Sequence, residues 1–151
     1  LQPKLVECKN VGIKKTNIVM QEYIQLLEKN PPVDPNVLTV FLSQIDFTPP
    51  VDYIDFIKQY NGAEGKIGNN QYLKLWGVEE LIDLNKDYEV DLYAAGYFIF
   101  GSNLGGTAYA FNKKESSIVT FEFIGMLMDD EAIFCGANFL EFLKYLHKES
   151  N

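Results

Sequence analysis

The stretch YFIFGSNLGGTAYAFN, Tyr97 to Asn112, places Gly101, Gly105 and Gly106 between two runs of strand-forming residues. A glycine-rich loop that leads from a strand into a helix can cradle phosphate, because free backbone amides and the helix N-terminus face the anion. The same glycines between two strands are a bend. The dinucleotide fingerprint requires G-x-G-x-x-G, but the spacing here is G-x-x-x-G-G. TAYAFN then alternates as a strand does, with Tyr109 and Phe111 on one face and Ala108 and Ala110 on the other. A Walker loop requires Gly-Lys before Ser or Thr, and Gly65-Lys66 precedes Ile67. The stretch reads as a β-hairpin, and its glycines serve turn geometry.

Downstream, SIVTFEFIG continues the strand pattern and NFLEFLKYLHKE reads as a helix, with Asn138 as its cap and Phe139, Leu140, Phe142, Leu143 and Leu146 as its apolar stripe. Upstream, QYLKLWG reads as a strand and VEELIDLNKDYEVD as a short helix with a polar loop. Three further helices are expected. The first covers TNIVMQEYIQLLEKN, capped by Thr16 or Asn17. The second begins at Pro35 with Asp34 as cap and carries Val37, Leu38, Phe41, Leu42 and Ile45. The third follows Pro49-Pro50, carries Tyr53, Ile54, Phe56, Ile57 and Tyr60, and stops at Asn61-Gly62. Helices, then strands, then a helix predict a single α+β domain rather than a βαβ repeat.

The chain has 151 residues, 47% of them hydrophobic and 23% charged, the balance of one globular domain. Its formal charge is −8, which repels phosphate backbones and argues against direct nucleic-acid binding. Such a charge would speed encounter with a basic protein, or merely keep the protein soluble. Cys8 and Cys135 form no CxxC pair, so a reducing, cytoplasmic setting is expected. No apolar run is long enough to span a bilayer. The sequence begins at Leu1 rather than Met, which leaves a processed leader open.

Chemistry is hard to place. His147 and two distant cysteines do not make zinc spacing, and Asp129, Asp130 and Glu131 lie in no EF-hand loop. Ser102 lies near glycines, but not in G-x-S-x-G. Cys135 sits in the apolar run AIFCGANF, where a buried cysteine acts as a small hydrophobe. No cofactor, metal or catalytic set is expected. What remains is an acidic address: Glu79, Glu80, Asp83, Asp87, Glu89 and Asp91 surround Lys86, with Tyr88 and Tyr93 interleaved. Such a cluster suits a surface that pairs with Lys and Arg of a partner. It also suits the wet side of an amphipathic helix.

Taken in order, PPVDYIDFIKQYNGAEG, YLKLWGVEEL, FIFGSNLGGTAYAFN and NFLEFLKYL resemble the SUKH superfamily, which includes the yeast cell-wall assembly regulator of the Smi/Knr type. The resemblance covers Asp34 to Leu146, after an N-terminal helical extension. The chain departs from it at Asn103-Leu104, where similar proteins more often carry Asp and Gly. The resemblance implies an α+β domain with a curved, mostly antiparallel sheet flanked by N-terminal helices and a C-terminal helix. Many bacterial members look like immunity proteins that bind and neutralise a cognate toxin, often a nuclease or deaminase. Eukaryotic members look like regulators or scaffolds. No catalytic residue is carried over. The leading expectation is thus a non-catalytic binding protein for a basic toxin. The alternatives are a regulatory scaffold for a host protein or, last, a small hydrolase that uses Ser102 or Cys135 with His147.

Overall fold

A computed structural model of the chain describes residues 18–128 and 131–149. Seven strands form one sheet whose spatial order is the chain order, and every pairing is antiparallel. They are β1 (Leu27–Lys29), β2 (Ala63–Ile67), β3 (Gln71–Leu75), β4 (Tyr97–Ser102), β5 (Thr107–Asn112), β6 (Ile118–Glu122) and β7 (Ile133–Gly136). The helices are α1 (of which 18–24 is described), α2 (Pro35–Gln44), α3 (Val51–Gln59), α4 (Val78–Asp87), α5 (Val90–Tyr93) and α6 (Phe139–Glu149). The fold is α+β, as the sequence predicts. The proposed Thr16 or Asn17 cap lies outside the described residues.

The hairpin reading of Tyr97–Asn112 holds, since β4 and β5 pair in register from Tyr97↔Asn112 to Ser102↔Ala108. The N–H groups of Asn103, Leu104, Gly105 and Thr107 are already used. Asn103 Oδ1 accepts from Gly105 N–H (2.8 Å) and Thr107 N–H (3.0 Å), and Ser102 Oγ accepts from Leu104 N–H (2.8 Å). The three glycines do different work. Gly106 takes φ +109°, open to glycine and strained for other residues. Gly101 lies inside β4, where a Cβ would meet the Lys74 carbonyl of β3 at 2.9 Å. Leu104 adopts φ +58° without being glycine.

Alternation along β5 sorts the sheet into two faces. Tyr109 and Phe111 join Phe98 and Phe100 of β4 in a large core beneath α1, α2, α3 and α6. Ala108 and Ala110 join Ile99, Val119, Phe121 and Met126 in a smaller core that includes Val90 of α5. Tyr53 sits at the centre of the large core, its ring 4.9 Å from Phe111, 5.4 Å from Phe100 and 5.7 Å from Phe139. Its neighbour Asp52 reaches α6, where its two carboxylate oxygens accept from the N–H groups of Phe139 and Leu140, each at 2.9 Å. Asn138 Oδ1 accepts from Glu141 N–H (2.9 Å), as a cap should.

Three expectations need correction. The first helix does not run on through Lys29, because Leu27–Lys29 pairs with β2 (Leu27↔Gly65, Lys29↔Ala63) and Leu27 is buried there. Strand pairing to an otherwise open edge outweighs the helical periodicity of a short segment. Two strands escape sequence reading. β2 is AEGKI, whose glycine and charges lack strand propensity, and β7 is IFCG, only four residues long. The polar loop after α4 holds the single turn α5, which is pinned by buried Val90.

Asp52→Ala should leave two N-terminal amides of α6 without partners. We expect a loss of about 1–2 kcal/mol in urea unfolding. Among the described residues, the buried Tyr53 hydroxyl has no hydrogen-bond partner. Tyr53→Phe should therefore leave stability unchanged or raise it by about 1 kcal/mol.

Candidate protein-binding surface

α4 occupies the place where β3 and β4 diverge after two paired positions, Lys74↔Ser102 and Leu75↔Gly101. Its N-terminus is held by Asn61, whose Oδ1 accepts from Val78 N–H (3.0 Å) while its amide donates to Glu79. Its C-terminal half is fixed by Asn85. That side chain donates to the Ile99 carbonyl (2.9 Å) and accepts from the Ile99 N–H (2.8 Å) beside the register shift in β4. Val78 and Leu81 are buried, so the carboxylates of the helix face outward.

The acidic stretch is thereby divided. Glu79 is held by Asn61, and Asp91 lies 3.7 Å from Lys113, which pairs more closely with Asp46 at 2.9 Å. That partner holds the Asp46 carboxyl below its ordinary range. Glu80, Asp83, Asp87 and Glu89 are exposed. Glu79, Glu80, Asp83, Asp87 and Tyr88 line a shallow hollow with Trp76 and Leu84. An adjoining hollow of about 260 Å3 is lined by Asp87, Tyr88, Tyr93, Phe123, Met126 and Met128. Tyr88 and Asp87 belong to both. Glu89 and Asp91 line neither. Tyr88 is 44% exposed and Tyr93 51%, and Tyr88 lies 4.6 Å from the Phe123 ring. Sequence reasoning missed Trp76, Phe123, Met126 and Met128. The FIGMLM run, rich in apolar residues just after a strand, was the available signal.

The three nucleophile and base candidates are engaged in separate contacts. Ser102 Oγ is buried and occupied by Leu104 N–H. Cys135 is buried in the large core, and loss of solvent pushes its thiol up from 9.0 to about 12. His147 packs edge-on against Tyr23, with ring centres 5.4 Å apart. Among the described residues no cluster of His, Cys, Asp and Glu is arranged to hold a metal ion, and no helix is long and apolar enough to cross a membrane. Asp129 and Asp130 lie outside the described residues.

The SMI1 / KNR4 family (SUKH-1) model matches residues 32–145. The chain belongs to this family. A search of curated proteins finds no match to it. SUKH-1 membership agrees with the observed fold and suggests protein partners, and the family is generally non-catalytic. Leu104 holds the left-handed backbone, at φ +58°, that glycine adopts more readily. Leu104→Gly should raise stability by about 1 kcal/mol in urea unfolding, by relieving the φ +58° backbone.

The raised Cys135 thiol gives a second test, with its sign fixed by linkage. Its contribution to stability is full below 9.0 and is lost as pH rises from there toward about 12, because the unfolded thiol ionises first. In a Cys8→Ser background, iodoacetamide at pH 8 should leave Cys135 unmodified until urea unfolds the chain.

Proposed function

We propose that this SUKH-1 chain is a non-catalytic cytoplasmic binding protein that neutralises a cognate toxin of the nuclease or deaminase class. The reading is carried by one juxtaposition. Half-exposed Tyr88 and Tyr93, with 75%-exposed Met128, stand beside the outward carboxylates Glu80, Asp83 and Asp87. Aromatic and methionine side chains at the centre of an interface supply affinity when they enter a partner's pocket. Carboxylates at its rim attract a basic partner and speed encounter. A toxin that grips nucleic acid presents a positive cleft, which this surface complements. Glu79, Glu89 and Asp91 contribute to the same field from its margin.

The test is co-expression with a toxic nuclease or deaminase encoded beside this chain. The wild-type chain should restore growth and bind the purified toxin. Tyr88→Ala with Tyr93→Ala should weaken binding by about 2 kcal/mol or more, mostly through faster dissociation. Asp83→Lys with Asp87→Lys should instead slow association and flatten its salt dependence. Failure to restore growth, or rescue untouched by all four substitutions, overturns the reading.

A further inference from the structure

A second surface lies on the helix-covered face of the sheet, at the edge that β7 forms among the described strands. β7 is outermost, and edge strands are ordinarily blunted by charge, proline or shortness, because their unpaired backbone groups invite another strand. The opposite edge follows that rule. β1 has three residues, includes Glu28 and Lys29, and is followed by Pro31 and Pro32. β7 has no charged residue, and it exposes Ile133 at 58% and Phe134 at 60%.

Beside this edge runs a groove of about 770 Å3 between the sheet and the last turn of α6. Among the described residues three carboxylates line it, Glu122, Glu131 and Glu149, and no lysine or arginine does. Glu122 is oriented by Thr107, whose hydroxyl donates to it at 3.0 Å. The C-terminal end of α6 adds its partial negative charge at the same place. In the floor, Tyr109 is 3% exposed and lines the groove. Burial pushes that phenol up, so it stays protonated. Ile133 belongs to both the edge and the groove.

We propose that the β7 edge and this groove dock an extended protein segment that carries arginine or lysine at alternate positions. The segment pairs with β7 as an eighth strand. Side chains of an added strand alternate between faces, so every second residue hangs over the groove. A cation placed there meets Glu122, Glu131 and Glu149, and can engage the Tyr109 hydroxyl. The intervening apolar residues cover Phe134 on the other face. This surface adjoins the one around Tyr88: Gly125 lines both, with Leu127 on the groove and Met126 and Met128 on the tyrosine hollow.

The probe is a fluorescent, acetylated and amidated hexapeptide that alternates valine with arginine, titrated against the full chain by anisotropy. Saturable binding is expected, with perturbed amide resonances at 133–136. Glu122→Gln with Glu149→Gln should raise Kd about tenfold or more. N-methylation of alternate peptide amides should have a similar effect, because it removes strand pairing without altering the protein. Tyr88→Ala with Tyr93→Ala should leave Kd unchanged, which separates this site from the toxin-binding reading. If the glutamine variant loses its cooperative urea transition, Glu149→Lys at the exposed end of α6 replaces it, with the same expected loss. Absence of binding overturns the proposal. So does equal binding of a valine–glutamate peptide, of the N-methylated peptide, or by the glutamine variant.

Discussion

Two backbone donors at the start of α6 find their acceptor 87 residues earlier, on Asp52. The strands of this meander pair with their neighbours in the chain. The pairings β2–β3, β4–β5, β5–β6 and β6–β7 close short loops at little entropic cost, while β1–β2 and β3–β4 enclose helices. α6 differs, because it must return from the far edge and lie against α3 over the middle of the sheet. A charge-assisted contact at the helix N-terminus fixes where it lands. The next residue, Tyr53, then sets its ring among Phe100, Phe111 and Phe139, so one dipeptide joins α3, α6 and the sheet. Phe98 is covered separately, by Phe41 and Phe47.

The opposite face is built thinner. Ala108 and Ala110 are small, and only α5 and part of α4 lie near them, so the second core depends on Ile99, Val119 and Phe121. Tyr97 packs across Phe121 at 5.7 Å and Tyr88 across Phe123 at 4.6 Å, each with one side inward and the other toward water. Half-covered aromatics are what a thin core leaves at its margin. They provide contact area for a partner at small entropic cost, since few rotatable bonds must be frozen. The surface read as functional is thus the rim of the weaker core.

Much of this was legible in the sequence, for local reasons. Asp34-Pro35, Pro49-Pro50 and Asn138 announce helix starts through backbone chemistry that operates over a few residues, and α2, α3 and α6 begin there. Tyr109 and Phe111 against Ala108 and Ala110 gave the two faces of β5 from alternation alone. The turn at Asn103 was recognisable because no helix follows its glycines. What escaped depends on distant partners. β1 is a strand because β2 lies beside it, and β2 has no strand signature of its own. Asp52 reads as one acid among 21, and nothing near it indicates α6. The acidic stretch was visible as composition, but its division was not. The tie of Glu79 to Asn61 and the place of Asp91 beside Lys113 arise only from folding. Trp76 and Phe123 join it through the sheet, from 12 residues before and 35 after Tyr88.

The charge and the apolar groups act over different ranges. At physiological salt a carboxylate is felt over roughly 8 Å, so acids on the two sides of the segment between β6 and β7 make an approaching protein encounter a broadly negative body. That field is indifferent to sequence and raises the rate of encounter for any basic partner. Discrimination begins at contact, where desolvation makes fit matter more than charge. Around Tyr88 the contact is aromatic and half-exposed, beside two shallow hollows. Along β7 it is a strand edge with a groove, and it suits a segment already extended. If both proposed contacts form, one acidic domain would hold a partner's globular part and its extended part at the same time. The two contacts then gain from each other through effective concentration, without any new interaction.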